Sequence, residues 1–181
     1  MKIDRQRQAE VNKYSECYQD PNYRMGGPRM VEAKNFVSEW QPGSVLDVGC
    51  GRAEMLDYFK SRHFMAHGLE GVPELALRED VTLGSALCLP WTDKAFDYVT
   101  SWDVLEHLLP GDERLLLSEM LRVAKVAVAF TANNKPSFHN GVDLHVNRRP
   151  YPEWDNMVRE VFDGWTIRTQ AGYSQLWECV R

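Results

Sequence analysis

The chain lacks several features that would have assigned it quickly. None of its four cysteines, at 17, 50, 88 and 179, forms a Cys-x-x-Cys pair, so zinc-ribbon and thioredoxin-type spacings are excluded. Scattered unpaired cysteines point instead to a reducing compartment, and a cytoplasmic location is expected. No stretch approaches the roughly 18 apolar residues of a membrane span, and the charged, polar segment from Met1 to Glu10 does not read as a signal peptide. There is no internal repeat, low-complexity tract or linker. Nor is there an excess of base: 21 Lys and Arg face 26 Asp and Glu, a formal net charge of −5, which disfavours unaided binding to a nucleic-acid backbone.

What is present is enough for a core. At 181 residues and 44% hydrophobic, the chain has the size of one domain and needs no staples. A single domain over 1–181 is expected, with residues 1–40 as a helical cover and 44–181 as the core. The polar run from Asp4 to about Tyr18 predicts a helix that Asp20-Pro21-Asn22 ends. Pro28 opens a second, with Met30, Val31, Ala33, Phe36, Val37 and Trp40 at helical spacing.

From Ser44 the pattern alternates. Apolar runs at Ser44–Val48, Phe64–Glu70, Val81–Gly84, Phe96–Trp102 and Val126–Thr131 predict strands. Helices are expected at about Arg52–Ser61, near Pro73, at Asp112–Val123 and at about Pro152–Phe162. Alternation of this kind implies a parallel sheet covered on both faces. Trp165–Gln170 and Tyr173–Val180, joined by Ala171-Gly172, predict an antiparallel closing hairpin. The fold class is therefore α/β: a three-layer α-β-α sandwich on a mostly parallel, seven-stranded, doubly wound sheet.

In such sheets ligands bind at the carboxyl ends of the strands. The first strand runs into Gly49-Cys50-Gly51 and then a helix. A G-x-G loop alone is a weak signal that a dinucleotide site shares. The dinucleotide fingerprint continues to G/A, however, and here Glu54 stands in that place, where a carboxylate opposes pyrophosphate. Asp47 just before the loop also suits a cationic ligand better than phosphate. Glu70, about twenty residues on at the end of the second run, is placed to accept hydrogen bonds from ribose hydroxyls. No base stands beside Cys50, so it is a loop residue and not a nucleophile.

Val45–Gly51 resembles the first motif of class I S-adenosylmethionine-dependent methyltransferases, and Leu69-Glu70-Gly71-Val72 their acidic second-strand motif. Gly84–Trp91 with Phe96–Val99, and then Ser101–Leu108, resemble the stretches around their third and fourth strands. The resemblance runs from about 44 to 131 and implies S-adenosylmethionine as cofactor. It implies Asp47, Gly49, Cys50 and Gly51 at the methionine end, Glu70 on the ribose, and Gly71 and Val72 along the adenine. Ala86 and Leu87 would meet the adenine edge, and Ser101 and Trp102 the methionine amine. Ser85 departs from the family, which often has Asp there to receive the adenine amino group.

Three readings stand at Asp103-x-x-Glu106-His107. His107, with a pKa near neutral, is a candidate general base, with Asp103 beside it. Alternatively the group holds a divalent ion with His139 or His145, or it only packs the cofactor shell. We take His107 and Asp103 as the catalytic candidates and expect no resident metal. His139, His145 and Arg148 are candidates for the acceptor, which is expected to be a small or carrier-borne molecule. Nucleic acid is the alternative, with Lys135, Arg148 and Arg149 as a basic rim. It is disfavoured, since Thr131-Ala132-Asn133-Asn134 does not match the motif of amino-group base methylation. A further alternative is a non-catalytic cofactor-binding partner subunit. Tyr14, Tyr18, Tyr23 and Arg29 are candidates for a lid.

Overall fold

The computed structural model describes residues 2–23 and 27–181, without the side chains of Lys2 and Ile3; residues 24–26 of the expected helical cover lie outside it. The chain begins with α1 (Lys2–Gln19) and α2 (Pro28–Phe36). Then follow β1 (Ser44–Val48), α3 (Glu54–Ser61), β2 (Met65–Glu70), β3 (Val81–Leu83) and β4 (Phe96–Ser101). A 3-10 turn at Leu105–His107 leads to α4 (Asp112–Val123), β5 (Ala124–Ala132) and a two-residue ladder of β6 (Phe138–His139) with β7 (Val142–Asp143). The chain closes with α5 (Tyr151–Val161), β8 (Thr166–Ala171) and β9 (Gln175–Val180).

The main sheet has seven strands in the order β3-β2-β1-β4-β5-β9-β8. All pairings from β3 to β5 are parallel, while β9 runs antiparallel between β5 and β8. The expected architecture is thus met. β1 sits where the winding reverses, with β2 on one side and β4 on the other, so the carboxyl ends of β1 and β4 flank the crevice such sheets use for ligands.

Strand alternation divides the core into two layers. Leu46, Val48, Val99, Val128, Phe130 and Trp177 face α4 and α5, where Leu116, Leu117, Met120, Trp154 and Val158 cover them. Val45, Ala127, Ala129 and Leu176 point the other way, against Ala33 and Phe36 of α2 and Met55 and Phe59 of α3. Asp47 shares the second face, which is why a carboxylate one residue from the strand end is buried. α4 begins after Gly111 at φ 104°, and Glu113 accepts the Gly111 N–H at 2.6 Å, an acid suited to a helix start.

Some local expectations need correction. No helix forms at Pro73: Leu75 N–H bonds to Val72 O and Ala76 N–H to Pro73 O, a series of turns that never closes a regular helix. α2 ends at Phe36, so Val37 and Trp40 are buried from turns rather than from a helix face. In the hairpin Ala171 still belongs to β8, and Gly172, Tyr173 and Ser174 make the turn.

Candidate active site

The site starts with two loops tied together by one carboxylate. After β1 the chain turns through Gly49 at φ 72° and Gly51 at φ 53°, and Ala53 at φ 64° caps α3. Glycine is required at 49 for a second reason: a Cβ there would stand 2.5 Å from Val104 Cγ2. At the end of β2, Glu70 accepts the Gly51 N–H at 2.8 Å on one oxygen and the Gly71 and Val72 N–H groups at 2.8 and 2.9 Å on the other. An ionised carboxylate has about four acceptor positions, so roughly one is left for a ligand hydroxyl. The loops after β1 and β2 therefore share one preorganised anion.

Asp47 lies behind this wall. It is 2% exposed, and its Oδ1 accepts the Thr100 hydroxyl at 2.7 Å. Burial pushes its pKa up to about 7; the Glu70 charge adds to the rise and the Thr100 hydrogen bond opposes it. Cys50 packs its sulfur over Gly68, where a Cβ would come within 2.6 Å of it. The Ser101 hydroxyl donates to Val48 O at 2.9 Å. Asp47, Cys50, Gly51 and Ser101 thus hold the wall from behind, without lining the cavity in front of it.

That cavity has a volume of about 480 Å³. Gly49, Glu70, Gly71 and Val72 form one side, and Ser85, Ala86 and Leu87 a second. Trp102, Asp103, Val104 and His107 form the third. The fourth side is α1, which contributes Arg7, Val11, Tyr14 and Tyr18, with Tyr23 beside it. Sequence reasoning named the tyrosines and missed Arg7 and Val11. The spacing 7, 11, 14, 18 was the available signal, since it aligns all four on one helix face.

α1 is fastened at both ends of the cavity. Arg7 forms a two-point pair with Asp112, at 2.8 and 2.6 Å, and Ser15 Oγ donates to Glu74 at 2.8 Å. The Tyr14 hydroxyl donates to Leu144 O at 2.9 Å and also touches His107 Nδ1. Arg29 lies off the cavity and pairs with Asp103 Oδ2 at 3.1 Å. Asp103 itself is held at φ 53°, and its Oδ1 accepts from the hydroxyls of Thr131 (3.2 Å) and Ser174 (3.3 Å).

The expectation of a near-neutral His107 is not met. Burial beneath α1 pushes its pKa down to about 3, only partly offset by the Leu144 carbonyl, so the ring is neutral. Its neighbour Glu106 is fully buried, and burial together with the Asp103 charge raises its pKa well above the carboxylate range.

The expected acceptor residues are not brought to the cavity. His139 Nε2 meets Asp20 Oδ2 at 2.9 Å, and its ring lies against Tyr23. Arg148 pairs with Asp143 at 3.0 Å. His145 is buried, with Nδ1 at 2.6 Å from Lys135 O. The expected basic rim does not form either: Arg149 pairs with the buried Glu113 at 2.5 Å, and Lys135 sits apart over the Tyr173 ring.

The crevice position, the glycine turn and the acid on the second strand all describe one kind of pocket, and comparison with known proteins agrees. A family model described as a methyltransferase domain matches residues 25–161. The chain belongs to that family. The methyltransferase domain has its fold in common with a S-adenosylmethionine-dependent methyltransferase from Archaeoglobus fulgidus, at TM-score 0.65 and 16% identity over 86% of this chain and 95% of that one. It also matches Burkholderia thailandensis 1,6-didemethyltoxoflavin-N1-methyltransferase, solved with 1,6-didemethyltoxoflavin and S-adenosylhomocysteine. There the TM-score is 0.63 and the identity 16%, over 96% of this chain and 84% of that one. Ajmaline N-methyltransferase of Rauvolfia serpentina is 31% identical over 100 residues, covering 48% of this chain and 34% of that protein. The methyltransferase domain therefore spans about a third of the length of this curated relative. S-Adenosylmethionine is the family's cofactor, and the lining here fits its nucleoside: the Glu70 carboxylate at the cavity wall keeps an acceptor position for a ribose hydroxyl.

Proposed function

We propose that this domain transfers the methyl group of S-adenosylmethionine to a nitrogen or oxygen of a small, largely apolar ring compound. The observation that carries the proposal is Glu70, fixed by three backbone N–H groups at the wall of the crevice cavity. Glu70 would hold the ribose, Gly71, Val72, Ala86 and Leu87 the adenine, and Gly49 with Trp102 the methionine part. When bound, the cofactor supplies an electrophilic methyl on its sulfonium.

The protein's own task is then alignment and the exclusion of water. Tyr14, Tyr18, Tyr23 and Trp102 line the remaining space with aromatic surface, which suits a flat apolar acceptor. The methylation of ring compounds by the toxoflavin and ajmaline enzymes supports the same class. A neutral nitrogen acceptor needs no base before attack, which accommodates a neutral His107. The paired state of Arg148 and Arg149 speaks against a nucleic-acid rim. No described helix is long and apolar enough to cross a membrane. The four unpaired cysteines support a cytoplasmic setting, which fractionation would check.

Calorimetry with S-adenosylmethionine and its demethylated product tests the donor half, and binding to neither would sink it. Formation of the demethylated product across acceptor classes tests the other half. Turnover of a nucleic acid or protein in preference to small ring compounds would overturn the assignment.

A further inference from the structure

The 3-10 turn after β4 and the loop before α5 bring a carboxylate and two imidazoles to one point. One ligand atom from each of Glu106, His107 and His145 lies within 4.8 Å of the others. Glu106 is 0% exposed; the backbone at Glu106 and Asn133 lies close enough to favour its charged form, but no described side chain bonds either carboxylate oxygen. Folded proteins rarely keep a buried carboxyl group in that condition, because its lost hydration is not returned. Arg29, whose charge acts on Glu106, is paired with Asp103 and makes no hydrogen bond to Glu106.

Both rings are oriented from behind. His107 Nδ1 lies 3.0 Å from Leu144 O, and His145 Nδ1 lies 2.6 Å from Lys135 O. A carbonyl only accepts, and the Tyr14 hydroxyl that also meets His107 Nδ1 gives its proton to Leu144 O, so each Nδ1 carries the proton and each Nε2 keeps its lone pair. No described residue hydrogen-bonds to either Nε2. An imidazole anchored through one nitrogen to a carbonyl, with the other nitrogen free, is how proteins present histidine to a metal.

We propose that Glu106, His107 and His145 bind one divalent transition-metal ion, zinc being the ion that best matches two imidazoles and one carboxylate. At metal–ligand bonds of about 2.0–2.2 Å, the donor atoms around a tetrahedral ion stand roughly 3.5 Å apart. Side-chain rotations that move atoms by about 1 Å therefore close the site. Asp103 is not a ligand, because Arg29, Thr131 and Ser174 already engage it. The expectation of no resident metal is revised accordingly. Three protein ligands leave a position open, and His107 lines the cavity. An acceptor oxygen would occupy that position, keeping a second lone pair for the methyl, a consequence that rests on the methyltransferase assignment.

The test uses the tag-free chain, stripped with a chelator and titrated with zinc against a chromophoric competitor, with cobalt(II) absorption as a second readout. One equivalent should bind, and Glu106→Gln and His145→Asn should each weaken binding by more than about tenfold. Circular dichroism and S-adenosylmethionine calorimetry on each variant report whether it has folded. Absence of stoichiometric zinc binding by the wild-type chain overturns the proposal without any variant. So does binding that survives either substitution in a folded protein. Zinc binding without cofactor binding would leave the metal site standing and remove the methyltransferase assignment; cofactor binding without zinc would do the reverse.

Discussion

Replacing Gly49 by alanine separates two costs that the structure places on one Cα. The first is conformational: at φ 72° an L-residue loses about 1–2 kcal/mol relative to its preferred basins. The second is steric, since the new Cβ would meet Val104 Cγ2 at 2.5 Å. Overpacking of that kind costs about 1–3 kcal/mol. The sum, about 2–5 kcal/mol, corresponds to a fall in Tm of roughly 4–20 °C for a chain of this size. Gly111→Ala is the control, because φ is 104° there and no atom lies within 4 Å of the added Cβ. It should show only the conformational part, about 1–2 kcal/mol. Val104→Ala removes the clashing methyl, so the double variant Gly49→Ala/Val104→Ala should be less destabilised than the sum of the singles by about 1–3 kcal/mol. Urea denaturation of the four proteins measures the cycle. If Gly49→Ala matches Gly111→Ala, or the cycle is additive within about 0.5 kcal/mol, the close approach of Val104 to the loop is not what fixes glycine there.

Asp47 should make stability depend on pH, because its folded pKa of about 7 lies above the ordinary 3.8. Its contribution is fully present below the unfolded value and is lost as pH rises through about 7, a change of roughly 4 kcal/mol. Glu70, Thr100 and Cys50 are the groups around it, and Asp47→Asn should flatten the slope between pH 4 and 8; an unchanged slope would place its origin elsewhere. A cationic ligand favours the ionised form, so cofactor affinity should rise over the same interval. Glu70→Gln leaves at least one of three N–H groups facing an amide donor, which should cost about 1–3 kcal/mol of stability and weaken cofactor binding by at least ~10-fold. A Kd within twofold of wild type would show that Glu70 is only a structural clamp. Tyr14→Phe removes the hydroxyl that joins α1 to Leu144 and His107, a loss of about 1 kcal/mol. Hydrogen exchange should then rise about fivefold along α1 and stay unchanged in β1 and β4; a uniform rise would mean that α1 is not a separable cover.

How far the sequence carried this picture depended on how many residues each feature needs. β1 and α4 were readable to the residue, because each is one apolar period bounded by its own signals: Gly49 after Val48, and Gly111 before α4 with Asp112 and Glu113 in its first turn. The hairpin was readable as a pair of strands but not in its turn, since Tyr173 has strand propensity and only the pairing of Ala171 with Gln175 shows where the ladder stops. The helix expected at Pro73 failed because proline at a helix start is permissive and does not supply the propagating turns, which Val72–Leu77 do not close.

The part of the cavity proposed to hold the donor was legible for the same reason that β1 was. Its parts are Gly49, 70–72 and 85–87, each at or just after the end of a strand that the alternation already located. The acceptor side is assembled from residues that only the fold makes neighbours. Tyr14 meets His107 across 93 positions and Leu144 across 130, and Arg7 reaches Asp112 across 105. No local periodicity encodes such a junction, so the sequence offered side chains without partners. It therefore advanced His139 and Arg148, whose charges are in fact satisfied by Asp20 and Asp143 close by in space. It also left His139 and His145 as equal candidates to join Glu106 and His107, and only the fold brings His145 from the far loop beside that buried carboxylate while His139 goes to Asp20. The proposed cofactor half of this pocket follows from consecutive residues and the proposed acceptor half from tertiary closure, which is why substitutions in α1 should alter acceptor choice while leaving the Glu70 clamp on the loops after β1 and β2 intact.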